Sequence, residues 1–125
     1  MASILVVDDD VGIRSLLRLL LEQLSHTVKE AGDGVEALAI AAQGGIDVVL
    51  TDLIMPEKEG IETIMELHRR YPDMKIIAMS GGGVGRVEDY LAMASRLGAV
   101  QTLKKPFGLK ELNQTLTLVL AAQKP

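Results

Sequence analysis

The sequence predicts an α/β fold, a doubly wound five-stranded parallel sheet with five helices on its two faces. Short apolar runs suited to strands alternate five times with longer segments whose apolar residues follow helical spacing. Turn-forming pairs such as Asp33-Gly34 and Gly44-Gly45 separate these segments. Because strands that alternate with helices are joined by right-handed crossovers, the pattern predicts a parallel sheet between two layers of helices.

The five predicted strands differ in polarity, and this difference predicts their order in the sheet. The runs at 4–7, 48–51 and 76–79 are apolar, whereas those at 27–31 and 100–104 mix in polar residues. A central parallel strand is buried on both faces and an edge strand is not, so the second and fifth strands are expected at the edges. The simplest right-handed arrangement is the flavodoxin-like order 2-1-3-4-5, with a ligand crevice between strands one and three.

Each helix is predicted to present one apolar stripe to the sheet. In the first helix the stripe is predicted to contain Ile13, Leu16, Leu17, Leu20 and Leu24, with Arg14, Arg18 and Glu22 on the opposite side. In the second helix it is predicted to contain Val35, Leu38, Ala39 and Ala42. The stripes of the remaining three helices begin at Ile61, Val87 and Leu109.

Length and composition limit the possible classes of protein. The chain of 125 residues is expected to form one domain, residues 1–125. It contains no cysteine, which excludes disulfides and thiolate metal sites and fits a reducing compartment. No secretory signal and no apolar stretch of membrane-spanning length is found, so a cytoplasmic protein is expected. The net charge of −4, with scattered basic residues, argues against direct binding of nucleic acid.

Carboxylates follow two of the predicted central strands. Asp8, Asp9 and Asp10 come after the first strand, and Asp52 comes after the third. Clustered carboxylates repel one another unless a cation or protons are bound, and Mg²⁺ prefers oxygen ligands. We therefore expect Asp8, Asp9 and Asp52 to form a divalent metal site. Asp10 is expected to cap the first helix instead.

Four short motifs then resemble the receiver domain of two-component response regulators, in the right order and over essentially the whole chain. They are ILVVDDD at 4–10, DVVLTDLIMP at 47–56 followed by Gly60, IIAMSG at 76–81, and LKKPF at 103–107. The resemblance implies a signalling domain in which Asp52 is the phosphoacceptor. It also implies that Asp9 and Asp52 ligate Mg²⁺ directly, Asp8 through water, and Ile54 through its backbone carbonyl.

The same resemblance implies roles for residues at the ends of the fourth and fifth strands. Ser80 is similar to the hydroxyl residue that binds the phosphoryl oxygen after transfer. Lys105 is similar to the lysine that pairs with the acceptor carboxylate, and the Lys105-Pro106 bond is cis in similar domains. One position departs from the family pattern: Thr102 stands where an aromatic residue often couples to the hydroxyl, so a switch by ring rotation is not expected.

Partners follow from the resemblance as well. The phosphodonor is expected to be a phosphohistidine of a histidine kinase or phosphotransfer protein, because His26 and His68 are isolated in this chain. Self-phosphorylation and hydrolysis would be the only reactions, so the chain is not expected to be an enzyme with turnover. The face made by the fourth helix, fifth strand and fifth helix is the expected surface for an effector or a phosphorylation-dependent homodimer, with Lys104, Lys110 and Glu111 as candidate contacts.

Two other hypotheses belong to different classes. A haloacid-dehalogenase-like phosphatase also uses an aspartate nucleophile at a strand end, but position 12 is Gly where that motif has Thr or Val, and the chain is short for a cap. The other hypothesis is a passive flavodoxin-like module that binds FMN or only a protein partner. Binding of FMN would need a phosphate loop after the first strand, where Asp8, Asp9 and Asp10 would repel the phosphate. A stand-alone domain and a domain cut from a longer regulator or hybrid kinase both remain open.

Overall fold

The computed structural model describes residues 2–53, 59–81 and 87–121, and for Glu59 and residues 87–91 it describes the backbone alone. Within these ranges five parallel strands form one sheet in the order β2-β1-β3-β4-β5. The strands are β1 (Ser3–Val7), β2 (Thr27–Ala31), β3 (Val48–Asp52), β4 (Lys75–Ser80) and β5 (Gln101–Lys104). The predicted fold class, strand order and edge strands are confirmed.

Five helices in the described ranges connect and cover the strands. They are α1 (Val11–Gln23), α2 (Gly34–Ala42), α3 (Glu59–Arg70), α4 (Val87–Leu97) and α5 (Leu109–Ala121). In the described part of the chain, no helix combines the length and the apolar character that a membrane crossing requires.

The central strands separate two hydrophobic layers because their side chains alternate between the faces of the sheet. Leu5 and Val7 belong to one layer, and Ile4 and Val6 belong to the other; all four are fully buried. The first layer packs against α2, α3 and α4, and the second packs against α1 and α5. Strand β1 is therefore buried on both faces, as its apolar run predicts.

Two predicted helix stripes are wrong in detail. In α1 the fully buried residues are Leu17 and Leu21, whereas Leu16 is 56% exposed. In α2 the buried residues are Gly34, Ala37 and Ala41, whereas Val35 is 75% exposed. Small residues on α2 allow the helix to lie close to the sheet, and this packing fixes the rotation of the helix more strongly than burial of the largest apolar side chains does.

Candidate functional site

Three acidic side chains meet at the carboxyl edge of the sheet. Asp8 directly follows β1, and Asp52 is the last residue of the neighbouring strand β3. Both are buried, at 1% and 6% exposure, while Asp9 is exposed. One oxygen from each of the three carboxylates lies within 4.8 Å of the other two. The structure thus brings together the three aspartates that the sequence predicts to be neighbours.

Lys105 connects two of these carboxylates. Its Nζ lies 3.0 Å from Oδ2 of Asp8 and 3.4 Å from Oδ1 of Asp52. The backbone N–H of Lys105 donates to the carbonyl of Ser80 at 2.8 Å, which ties this lysine to the end of β4. The Lys105-Pro106 bond is cis, in agreement with the bond expected by resemblance.

Ser80, the last residue of β4, is fully buried. Its hydroxyl has no hydrogen-bond partner in the part of the chain that the structure describes. Buried hydroxyls are rarely left without a partner, because the lost interactions with water are then not replaced. The position of this hydroxyl, at the end of the strand beside Asp52, suits a group that binds a ligand oxygen.

Two glycines allow the backbone segments around these strand ends to approach closely. A Cβ atom at Gly60 would lie 2.6 Å from the carbonyl oxygen of Asp52. A Cβ atom at Gly81 would lie 2.5 Å from the carbonyl oxygen of Lys105 and 2.7 Å from its Cβ. Any larger residue at Gly81 would therefore displace the segment that carries the lysine.

Asp10 has the structural role that the sequence predicts. Its Oδ1 accepts a hydrogen bond of 3.1 Å from the N–H of Ile13, and it is the N-cap of α1. Its own N–H donates to Oδ1 of Asp8 at 2.9 Å. Asp10 therefore caps the helix and orients Asp8, and it is not one of the three clustered carboxylates.

The other predicted site residues lie as follows. Ile54 lies outside the described residues, so its predicted carbonyl ligand stays a prediction. Thr102 on β5 is half-buried and in register with Ala78. Lys104, Lys110 and Glu111 are exposed, and Oε1 of Glu111 accepts the N–H of Gly108 at 2.9 Å.

One polar contact of the cluster is missed by the sequence pattern. Arg14, predicted on the solvent side of α1, instead donates from Nη1 to the carbonyl oxygen of Asp8 at 2.7 Å. Its Nε donates to Oε1 of Glu30 at 3.3 Å, and Nη1 of Arg18 lies 2.9 Å from the other oxygen of Glu30. The spacing of Arg14 in α1 carries no signal for this contact, because it depends on how α1 is rotated against β2.

The two arginines also determine the charge state of Glu30. The hydrogen bond from Arg18 is the largest cause of a lowered pKa of Glu30; partial burial opposes it, and the hydrogen bond from Arg14 adds to it. The pKa of Arg18 is raised, chiefly by its hydrogen bond to Glu30. Both effects favour the charged pair at neutral pH.

The cluster fits a hard divalent cation. All of its candidate ligand atoms are carboxylate oxygens, which Mg²⁺ and Ca²⁺ prefer. Among the residues that the structure describes, the three carboxylates face one ammonium group, that of Lys105, so two negative charges remain without compensation from this lysine. One divalent cation would neutralise them.

Comparisons with known proteins agree with this geometry. The family model of the response regulator receiver domain matches residues 4–117. The transcriptional regulator NtrC of Azospirillum brasilense is 35% identical over 124 residues, which are 99% of this chain and 25% of that protein. The sensor kinase CckA of Brucella abortus is 36% identical over 124 residues, which are 98% of this chain and 13% of that protein.

A solved structure of similar size has the same fold. It is a response regulator receiver domain protein of Clostridium thermocellum, with a TM-score of 0.89 and 30% identity, and the match covers 98% of this chain and 97% of that one. The curated relatives are longer, and the chain spans only a quarter of NtrC and about an eighth of CckA. What all these proteins share with the chain is one domain, and the chain belongs to the response regulator receiver domain family, a family of signalling modules.

Proposed function

We propose that this chain accepts a phosphoryl group on Asp52 from the phosphohistidine of a histidine kinase or phosphotransfer protein, and that Mg²⁺ is required. The observation that carries the proposal is the placement of Lys105 Nζ between Asp8 and Asp52, at 3.0 and 3.4 Å. The adjacent strand ends in Ser80, whose buried hydroxyl has no partner among the described residues. A carboxylate, an ammonium group and a buried hydroxyl therefore lie at one edge, and they support the proposal.

In the proposed reaction an oxygen of Asp52 attacks the phosphorus atom. The new O–P bond forms as the N–P bond to the donor histidine breaks, and the histidine nitrogen keeps the electron pair and takes up a proton. Because this transfer has a loose transition state, the protein contributes mainly alignment and charge neutralisation. Lys105 is already in contact with the attacking carboxylate, so its ammonium can neutralise charge without a large rearrangement.

Asp8, Asp9 and Asp52 would hold Mg²⁺, with Asp8 acting mainly through water and the carbonyl of Ile54 as a further ligand. Bound Mg²⁺ would supply positive charge to the transferring phosphoryl oxygens. The protein's own part is to keep three carboxylates within 4.8 Å of one another despite their repulsion. The hydrogen bond from Asp10 N–H to Asp8 and the ammonium of Lys105 contribute to this.

Phosphorylation would change the charge on Asp52 from −1 to about −2, since the second phosphoryl pKa is near 6. The added charge requires donors, and we propose that the ammonium of Lys105, 3.4 Å from Oδ1 of Asp52, and the hydroxyl of Ser80 at the end of the adjacent strand supply them. Recruitment of Ser80 would draw the end of β4 toward Asp52 and shift a two-state surface. Thr102 carries no ring, so we propose that this switch works without ring rotation at that position.

The output would be a protein contact and not catalysis of a separate reaction. We propose that the face of α4, β5 and α5 binds an effector protein or a second phosphorylated copy, with Lys104, Lys110 and Glu111 as exposed contacts. Self-phosphorylation and hydrolysis of the acyl phosphate would be the only chemistry.

Phosphorylation with a small donor tests the proposal. The protein is incubated with acetyl phosphate and Mg²⁺, and its intact mass is measured. The wild type is expected to gain one phosphoryl group, Asp52→Asn is expected to gain none, and EDTA is expected to prevent the gain. Asp47→Asn changes an aspartate at the opposite edge of the sheet and is expected to behave as the wild type.

Two results would contradict the proposal. One is a wild type that gains no phosphoryl group, and the other is an Asp52→Asn variant that gains it as readily. Release of inorganic phosphate over many turnovers from phosphate monoesters would support the phosphatase alternative instead.

A further inference from the structure

The guanidinium of Arg14 joins α1 and β2 to the chain segment that carries the acidic cluster. Nη1 donates to the carbonyl oxygen of Asp8 at 2.7 Å, and Nε donates to Glu30 at 3.3 Å. The side chain of Arg14 is only 17% exposed, although α1 lies on the surface. A guanidinium in this position is held in a defined orientation and is not a solvated surface charge.

The other polar groups of Asp8 have different partners. Its N–H donates to the carbonyl of Ala31 at 3.1 Å, Oδ1 accepts from Asp10, and Oδ2 accepts from Lys105. Within the described ranges, the contact with Arg14 is the one that acts on the peptide group between Asp8 and Asp9. Because a peptide group is planar, holding its carbonyl oxygen fixes the direction in which the chain enters Asp9.

The orientation of the Asp9 carboxylate depends on this chain direction more than the orientations of the Asp8 and Asp52 carboxylates do. Asp8 and Asp52 are buried and both contact Lys105, whereas Asp9 is exposed and packing does little to orient it. We infer that Arg14 is a positioning residue, which sets the orientation of the Asp8-Asp9 peptide and thereby places the Asp9 carboxylate for a divalent cation. This inference rests on the proposed function, because it concerns the same acidic cluster.

The surroundings of Arg14 support a role that needs a guanidinium. Two of its nitrogen atoms serve acceptors on different segments, the carbonyl oxygen of Asp8 just after β1 and the carboxylate of Glu30 on β2, and Glu30 is held in turn by Arg18 at 2.9 Å. A Cβ atom at Gly32 would lie 3.1 Å from Nη1 of Arg14, so the glycine leaves the space that the guanidinium occupies. A lysine could retain the charge but could not donate to Asp8 and Glu30 in the same fixed geometry.

Affinity for Mn²⁺, which takes the same oxygen ligands as Mg²⁺, tests the inference, with the electron paramagnetic resonance signal of free Mn²⁺ as the readout. Arg14→Met is expected to bind Mn²⁺ about tenfold more weakly than the wild type, the usual loss when a residue that orients a ligand is removed. Arg18→Met is the matched control, because it removes a pair with the same Glu30 but does not contact Asp8. Its affinity is expected to stay within about twofold of the wild type.

A double variant separates positioning from general stability. In the Asp9→Asn background, Arg14→Met is expected to lose its effect on Mn²⁺ affinity but to keep its effect on the urea midpoint. Arg14→Lys, which keeps the charge and is expected to fold, should weaken Mn²⁺ binding by the same order as Arg14→Met. In the metal-free protein, the amide resonance of Asp9 should shift in both Arg14 variants and not in Arg18→Met.

The outcomes separate this inference from the proposed function. If the wild type neither binds Mn²⁺ nor gains a phosphoryl group, the proposed function fails, and the inference fails with it. If the wild type does both, but Arg14→Met and Arg14→Lys bind Mn²⁺ as tightly, the inference alone is overturned. Equal weakening in Arg18→Met would likewise reduce Arg14 to a structural residue.

Discussion

The two edges of the sheet use polar side chains in different ways. At the amino edge, Oδ2 of Asp47 accepts the N–H of Ser3 at 2.9 Å, and Nδ1 of His26 accepts the N–H of Ala2 at 3.1 Å. These side chains satisfy backbone groups at the start of β1. At the carboxyl edge, three carboxylates face one another around a single lysine, and a buried hydroxyl is without a partner among the described residues.

A cavity at the amino edge of the sheet does not coincide with the acidic cluster. A cavity of about 710 Å³ opens at the amino edge, between the segments that precede β3 and β4, and it is lined by residues that include Ile46, Asp47, Tyr71 and Lys75. The acidic cluster does not line this cavity. Uncompensated charge, and not this cavity, marks the proposed site, because a phosphoryl group and a small cation need charged ligands more than they need a large enclosed space.

The largest expected effect is that of removing the ammonium group that contacts the carboxylates of Asp8 and Asp52. Lys105→Met would leave buried Asp8 without its ammonium, and we expect the metal-free protein to lose about 3 kcal/mol of unfolding free energy, as when one partner of a buried pair is removed. Urea denaturation measures this loss. Added Mg²⁺ should stabilise Lys105→Met more than the wild type, because the metal then also replaces the positive charge that Lys105 supplied to Asp8 and Asp52.

Lys104→Met is the control for this prediction, since Lys104 is exposed and precedes Lys105 in the chain. Lys104→Met is expected to lower the free energy of unfolding by less than about 1 kcal/mol, the usual size of the contribution of an exposed charge pair. Equal losses in the two variants would show that the carboxyl edge does not depend on its lysine.

Removal of one carboxylate at each edge is expected to change the free energy of unfolding by a smaller amount, and in opposite directions at the two edges. Asp9→Ala should raise the unfolding free energy of the metal-free protein by about 1 kcal/mol at low salt, because it relieves repulsion within the cluster. Asp47→Ala should lower it by about 1 kcal/mol, because the N–H of Ser3 loses its acceptor. Urea denaturation at low and high salt measures both, and destabilisation by Asp9→Ala at low salt would contradict the prediction.

The smallest expected effect is a dependence of stability on pH that comes from His26 at the amino edge. Burial, and then the positive charge of the chain's N-terminus, lower the pKa of His26 from its ordinary value of 6.5. Neutral imidazole accepts the N–H of Ala2, and the protonated form cannot. The contribution of this contact to the stability of the folded protein is therefore complete above pH 6.5. It is lost as the pH falls through the lowered pKa of His26 in the folded state.

Melting temperatures between neutral pH and pH 5 measure this contribution, with His26→Gln as the comparison. The wild type should lose more stability than the variant as the pH falls. Parallel curves would mean that His26 does not contribute to the pH dependence.

Much of the fold follows from local patterns in the sequence. The bounds of β2 and the order of all five strands agree with the predictions, because the polarity of each run reports whether the strand is central or at an edge. The capping role of Asp10 is also local, since the cap and the N–H of Ile13 that donates to it lie three residues apart. The predicted positions of Leu16, Val35 and Arg14 on their helices are wrong. Helical spacing defines the stripes of a helix but not which of two adjacent stripes faces the sheet.

The sequence by itself determined the fold class and brought Asp8, Asp9, Asp52 and Ser80 to one edge, because chain direction in a parallel sheet sends every strand end to the same side. Only the tertiary structure decided the contacts among them. The pair of Lys105 with Asp8 joins residues 97 positions apart, and the contact of Arg14 with the Asp8 carbonyl depends on the rotation of α1. Such contacts are fixed by close packing between elements, which no local spacing encodes.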